Sequence, residues 1–228
     1  ARELERAPST GSLLVGGSWT YLADVALASG ELAEAERLQR NALRTFEGLA
    51  MDHQAWREKV LGLCGLAEIL RSGARLDECA AAIREAEQIV HREALDEDLR
   101  GSILRRKVLL ALQLRRFEEA LGFAEENLAL RERIHGPRSP QYAEALLDRG
   151  VAAVNTPGAE ASLALLGEAV DLAEAILGPL DQRTLIGKNN LASACAQRED
   201  WARAAELLEE TAEAFGSLYG AEHPSALA

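Results

Sequence analysis

Residues 182–224 read QRTLIGKNNLASACAQREDWARAAELLEETAEAFGSLYGAEHP, and the reading of this stretch decides the fold. Leu191, Ala192 and Cys195 recur at the three- and four-residue spacing of an amphipathic helix. The spacing predicts one helix over Gln182–Arg198 and a second over Asp200–Tyr219. Gly178 and Gly220 bracket the pair 42 residues apart, and Gly136 lies another 42 upstream. Val108, Gly150 and Ala192 keep the same interval inside helical segments. Phe117 and Trp201, 84 apart, each open a charged, alanine-rich helix. Self-similarity at such a period marks an array of helical pairs, each burying its apolar flank on the next.

Working outward, four more pairs are predicted. They are Ser12–Ala28 with Glu31–Ala50, Ala55–Arg71 with Leu76–Arg92, Leu99–Leu114 with Phe117–His135, and Pro140–Asn155 with Ala159–Leu177. The units are then 12–50, 55–92, 99–135, 140–177 and 182–219, with 220–228 opening a further unit, all in a single repeat domain over 1–228. Ser29-Gly30, Ser72-Gly73 and Thr156-Pro157-Gly158 are read as turns within pairs. Glycine just past a helix end relieves a left-handed cap and a following proline prevents continuation, as Gly136-Pro137 and Gly178-Pro179 suggest. The packed positions are Trp19, Leu22, Ala23 and Ala26 in the first pair, and Leu63, Leu66, Ala67 and Leu70 in the second. Small residues at Ala23, Ala67, Gly150 and Ala192, and at Ala35, Ala42, Cys79 and Ala86, let partner helices approach closely.

The composition suits such a fold: 48% hydrophobic residues, with aromatics only 4%, leave alanine and leucine to do the packing. The formal charge of −12 argues against nucleic acid and against an anionic membrane surface as partners. Cys64, Cys79 and Cys195 are widely spaced and sit in apolar helical patterns, as buried reduced thiols of a cytoplasmic protein would. No run of 18 apolar residues and no signal peptide occurs. Ala1 is not a natural start and Ser225-Ala226-Leu227-Ala228 breaks off in mid-pattern, so a fragment of a longer protein is expected. Usage rich in alanine, arginine and leucine resembles that of a high-GC bacterium.

Reactive chemistry is not expected. Gly187-Lys188-Asn189 lacks the earlier glycine and the following hydroxyl of a phosphate loop. His53, His91, His135 and His223 have no ligand partner at metal spacing. Ser9, Ser12 and Ser18 lie outside any nucleophile-elbow motif. The expectation is a non-enzymatic chain with no cofactor and no metal.

The spacing resembles the tetratricopeptide repeat (TPR) family. Trp19, Leu22-Ala23, Ala35 and Ala42 carry its pattern in the first unit. The 42-residue period resembles the kinesin-light-chain-type subgroup. So do Asn189-Asn190-Leu191-Ala192, Gly220-Ala221-Glu222-His223-Pro224 and Leu128-Ala129-Leu130-Arg131-Glu132-Arg133. There are departures: the asparagine pair occurs once, and Lys107-Val108 and Arg149-Gly150 replace leucine–alanine. Ser162 stands near the usual alanine, and Ala35, Cys79 and Ala120 are unevenly spaced at 44 and 41. The resemblance implies an all-α, right-handed superhelical α-solenoid of about five repeats, whose first helices line a concave groove that binds a protein or peptide.

Residues stepped along those first helices are the candidates: Glu68, Arg71, Arg105, Gln113, Leu147, Asn155, Asn189, Ser193 and Gln197, with Thr20, Asp24, Cys64, Leu109, Glu144 and Val151 on the same path. Amides both donate and accept, which equips Asn155, Asn189 and Gln197 to pair with an extended backbone. Leu109, Leu147 and Val151 would form an apolar floor. Arg105, in the basic run from Arg100 to Arg116, could fork onto a carboxylate. Three readings stand: an interaction module, a sensor segment of a larger signalling kinase, protease or ATPase, or a scaffold that self-associates end to end through an apolar face after Tyr219.

Overall fold

The computed structural model describes residues 9–47, 49, 52–157 and 162–219. Among these residues there are ten α-helices and no strand. They are α1 (Ser9–Ala28), α2 (Leu32–Glu47), α3 (His53–Ser72), α4 (Leu76–Arg92), α5 (Glu97–Gln113), α6 (Phe117–His135), α7 (Pro140–Asn155), α8 (Ser162–Leu177), α9 (Gln182–Gln197) and α10 (Trp201–Tyr219). Helices lie in all ten expected segments, and α4, α6 and α7 begin and end where the pattern predicts. Ala50, Ala159, Gly220 and the His223-Pro224 end lie outside the described residues.

Four of the turns between consecutive helices share a hydrogen-bond signature. The N–H of Glu31, Arg75, Arg116 and Asp200 donates back to the carbonyl of Ala26, Leu70, Ala111 and Cys195, at 2.8, 2.9, 2.8 and 3.0 Å. This is the six-to-one bond of a helix that ends on a left-handed residue. The residues in that conformation are Gly30, Ala74, Arg115 and Glu199, with φ of 79°, 56°, 59° and 64°. The carbonyls of Glu31, Arg75, Arg116 and Asp200 then accept the first bond of the next helix, from Ala35, Cys79, Ala120 and Ala204. One residue thus closes one helix and opens another. Gly73 lies in the turn, as the sequence predicts, with a φ of −83°, and Ala74 beside it takes the left-handed position. The bond from Arg75 to Leu70 decides which residue turns, and that position falls one past the glycine.

Between pairs the chain stops and restarts with side-chain caps. Asp52 accepts from Ala55 N–H at 2.8 Å, Ser139 from Tyr142 N–H at 3.1 Å ahead of Pro140, and Asp181 from Arg183 N–H at 2.9 Å. Each satisfies an orphan donor of the helix it precedes. Gly136 and Gly178, with φ of 81° and 97°, are the left-handed glycines the sequence predicts between pairs.

The chain divides into two compact units, Ala1–Leu110 and Ala111–Ala228. In the first, Leu63, Leu66, Leu70, Ile83 and Ile89 of the α3–α4 pair share a core with Leu99 and Ile103 of α5. Gln39 of α2 reaches the α3 backbone, donating to Gly62 O at 3.0 Å, and Gly62 and Gly65 leave room for it. Lys59 of α3 pairs with Glu47 and Glu85 at 3.3 and 3.2 Å. In the second unit, Leu147, Leu166, Val170, Leu191 and Cys195 form the core. Gly150 lets α7 close on α8, since a Cβ there would lie 2.9 Å from Leu166 Cδ1. Lys188 of α9 ties Glu174 and Glu210 at 3.0 and 3.1 Å.

The small-residue register is buried throughout: Ala35, Cys79, Ala120, Ser162 and Ala204 are at most 4% exposed. Ser162, the departure from alanine, accepts a bond from Arg198 at 3.0 Å, which satisfies its hydroxyl. All three cysteines are free and buried. Leu22 departs from expectation. It is 46% exposed. No described helix is long and apolar enough to cross a membrane.

The turns yield a stability prediction. A left-handed conformation costs an L-residue roughly 1–2 kcal/mol, while glycine elsewhere in a helix costs roughly 0.5–1 kcal/mol in entropy. Ala74→Gly and Glu199→Gly should each stabilise the chain by up to about 1 kcal/mol, read as a rise of about 2–4 °C in thermal unfolding. Gly30→Ala should lower it by a similar amount.

Candidate partner-binding faces

Every candidate partner-binding residue lies on α1, α3, α5, α7 or α9. In the unit 1–110, α1, α3 and α5 bring together Asp24, Cys64, Glu68, Arg71, Arg105 and Arg106. Glu68 is the hub. Its Oε1 accepts from Arg71 at 2.6 Å and its Oε2 from Arg106 at 2.6 Å. Its side chain is 20% exposed. Burial pushes the Glu68 carboxyl upward, but the Arg71 hydrogen bond and the charges of Arg106, Arg71 and Arg105 outweigh it and hold the group below its usual range. Asp24 differs: burial dominates, the Arg106 charge offsets it only in part, and its carboxyl is raised. Burial pushes the Cys64 thiol up to about 11 against the pull of Arg106, so it stays protonated and inert.

This cluster assembles five of the predicted residues: Asp24, Cys64, Glu68, Arg71 and Arg105. The residue that reaches Glu68 across helices is Arg106, which sequence reasoning passed over in favour of its neighbour. Both lie in the same basic run, and only the packing of α5 on α3 shows which one faces the carboxylate. Arg105 acts on Glu68 through its charge.

In the unit 111–228, Asn189, Ser193 and Gln197 follow one another at four-residue steps along α9, all exposed. The Ser193 hydroxyl donates to Asn189 O at 3.0 Å within the helix. Asn155 of α7 is half-buried and donates to Val151 O at 2.8 Å, which leaves its amide oxygen to accept. Leu147, expected on the groove floor, is a core side chain at 6% exposure, packed where Gly187 of α9 gives it space. Val151 is half-buried and Gln113 is exposed at the end of α5. At the start of α9, Arg183 pairs with its own cap Asp181 at 2.9 Å, and that bond with the Glu144 charge raises its affinity for the proton. Among the described residues no cluster of histidine, cysteine and carboxylate could hold a metal.

Stacked helical hairpins with buried small-residue registers and polar first-helix faces define a helical-repeat protein of the α-solenoid class. Residues 102–141 and 184–225 match the family model of the tetratricopeptide repeat, so these two segments are tetratricopeptide repeats. The unmatched segment between them holds the departures at Arg149-Gly150 and Ser162.

Solved structures share the fold. BtubC (BKLC) from P. vanneervenii has a TM-score of 0.71 at 21% identity, over 96% of this chain and 87% of that one. The nearly identical TPR-like repeats of a protein described as a kinesin light chain in Podosopora anserina have a TM-score of 0.62 at 16% identity, over 88% and 94%. A Signal Transduction ATPase with Numerous Domains from Pyrococcus horikoshii, with a tetratricopeptide repeat sensor, has a TM-score of 0.64 at 20% identity, over 88% of this chain but 29% of that one. No curated protein sequence matches significantly.

Glu68 yields a pH prediction. Its folded pKa lies below the ordinary 4.5, so its stabilisation is complete above pH 4.5 and is lost as pH falls through the lower folded value. Glu68→Gln removes the carboxylate charge that Arg71 and Arg106 share and should cost about 2 kcal/mol at neutral pH. Thermal melts across pH should show the gap to wild type closing in acid. A pH-independent gap would count against an ionised hub.

Proposed function

We propose that the chain is a protein-binding module that holds an extended peptide or a partner segment along the faces of its first helices. The reading rests on one observation above all: polar groups with hydrogen-bonding capacity line α9 in a solvent-exposed row at Asn189, Ser193 and Gln197. Their spacing suits backbone amides of a partner, and their polarity favours recognition without chemistry. The arginine-rich cluster around Glu68 offers a second anchor, where Arg105, Arg71 and Arg106 would favour an acidic side chain or terminal carboxylate. Glu68 itself would then position the guanidinium groups. The net charge of −12 disfavours nucleic acid and anionic membranes, and the buried free thiols suit a reducing compartment such as the cytoplasm.

A second reading is favoured by the match of 88% of this chain to 29% of a signalling ATPase that carries a repeat sensor. On that reading these repeats sense a partner on behalf of an enzymatic domain. A reading frame that continues into a nucleotide-binding domain is its expected outcome, and one that does not continue ends it.

The binding test compares the whole chain with an Asn189→Ala plus Arg105→Glu variant in a pull-down, with Gln88→Ala on the exposed face of α4 as control. Partners held by the proposed faces should bind the double variant at least about tenfold more weakly and the control unchanged. Equal capture by all three would remove the proposal.

A further inference from the structure

Between α2, α3 and α4 lies a cleft of about 230 Å³. Its floor is apolar, made by Leu63 and Leu66 of α3 and Leu43 of α2, all buried. It is separate from the Glu68 cluster. Lys59, which also lines the cleft, and Glu68 are nine residues apart on α3. At about 100° per residue, that spacing sets them on opposite sides of the helix.

The rim is charged, and its charges are unevenly matched. Three cations, Arg40, Arg44 and Lys59, line the cleft with two carboxylates, Glu47 and Glu85. Lys59 takes both carboxylates, Glu47 at 3.3 Å and Glu85 at 3.2 Å, and so ties α2 to α4 across α3. Arg40 is taken up by Glu36 at 2.8 Å. Arg44 is left over. Among the described residues it pairs with no carboxylate, and its Nη1 donates to the Asn41 amide oxygen at 3.3 Å. In a chain of net charge −12, this guanidinium stands beside an apolar floor with its charge unanswered.

Size and charge define the occupant. Small-molecule sites occupy roughly 300–1,000 Å³. A cleft of about 230 Å³ takes one side chain rather than a whole ligand. The floor suits the methylenes of that side chain, and Arg44 requires an anion at its head. A planar carboxylate matches the two parallel donors of a guanidinium. A phosphate dianion is disfavoured, because Glu47 and Glu85 on the rim repel two charges more than one. We propose that this cleft is a docking site for a glutamate side chain of a partner polypeptide. Its methylenes lie on Leu43, Leu63 and Leu66, and its carboxylate meets Arg44. The site shares no residue with the Glu68 cluster or the Asn189 row, so it stands or falls apart from the binding role proposed above.

Heteronuclear NMR of the whole chain tests it, with capped alanine pentapeptides whose central residue is glutamate, glutamine or phosphoserine. The glutamate peptide should shift the backbone amides around Arg44 and Leu63 with a dissociation constant of about 1 mM, as a contact of one side chain allows. The other two peptides should bind at least about fivefold more weakly. Arg44→Ala, a substitution at an exposed position, should weaken the glutamate peptide at least about fivefold with unchanged helical circular dichroism. Arg37→Ala removes an equal charge elsewhere on α2 and should leave binding unchanged. No shift from the glutamate peptide, or shifts confined to other faces, would overturn the proposal. So would a glutamine or phosphoserine peptide that binds as tightly, an Arg44→Ala chain that binds like wild type, or an equal loss in both arginine variants.

Discussion

Every feature of this chain follows from one constraint: a helical hairpin cannot bury its own flank. Two helices of sixteen to twenty residues cover one side of each other and leave a second apolar side in water. Another hairpin must cover that side, and close approach needs small side chains where the backbones meet. That is why Ala23, Ala67, Val108 and Ala192 are all 0% exposed, and why Gly62, Gly65 and Gly187 face Gln39, Val170 and Leu147. Covering the flank on one side leaves the face of the first helices open, and that open face is where polar groups collect.

Charge follows the same geometry. Despite a balance of −12, the cationic groups are placed where they bridge helices: Lys59 between α2 and α4, Lys107 onto α4, Arg106 onto α3, and Lys188 between α8 and α10. Most of these pairs are exposed on the carboxylate side and contribute little to stability individually. The Glu68 cluster differs because burial removes competing water, so its arginines hold the carboxylate ionised against the cost of desolvation. The two units therefore present different chemistries, a half-buried ionic hub on α3 and a row of neutral hydrogen-bonding groups on α9.

The turns show how loosely sequence specifies a tightly defined backbone. Four left-handed positions carry glycine, alanine, arginine and glutamate, yet each is closed by the same six-to-one bond within 0.2 Å of the others. Packing of the paired helices over-determines the turn, so an unfavourable residue is tolerated there.

How much was legible in advance divides along the same line. Periodicity, capping residues and the 42-residue interval determined the helices, their pairing and the buried small registers, because these depend on spacing within one or two turns. Leu191, Ala192 and Cys195 could be read as core, and Asn189 and Ser193 as exposed, from their positions on one helix. The sequence could not show that Leu147 belongs to the core, or that Ala74, one past Gly73, takes the left-handed position of the turn. Nor could it choose Arg106 over Arg105 as the partner of Glu68. Each of these depends on which neighbouring helix lies against the residue. Adjacent positions on a helix point about 100° apart, so only the tertiary placement of α5 against α3, and of α7 against α9, decides which side chain is covered and which is presented.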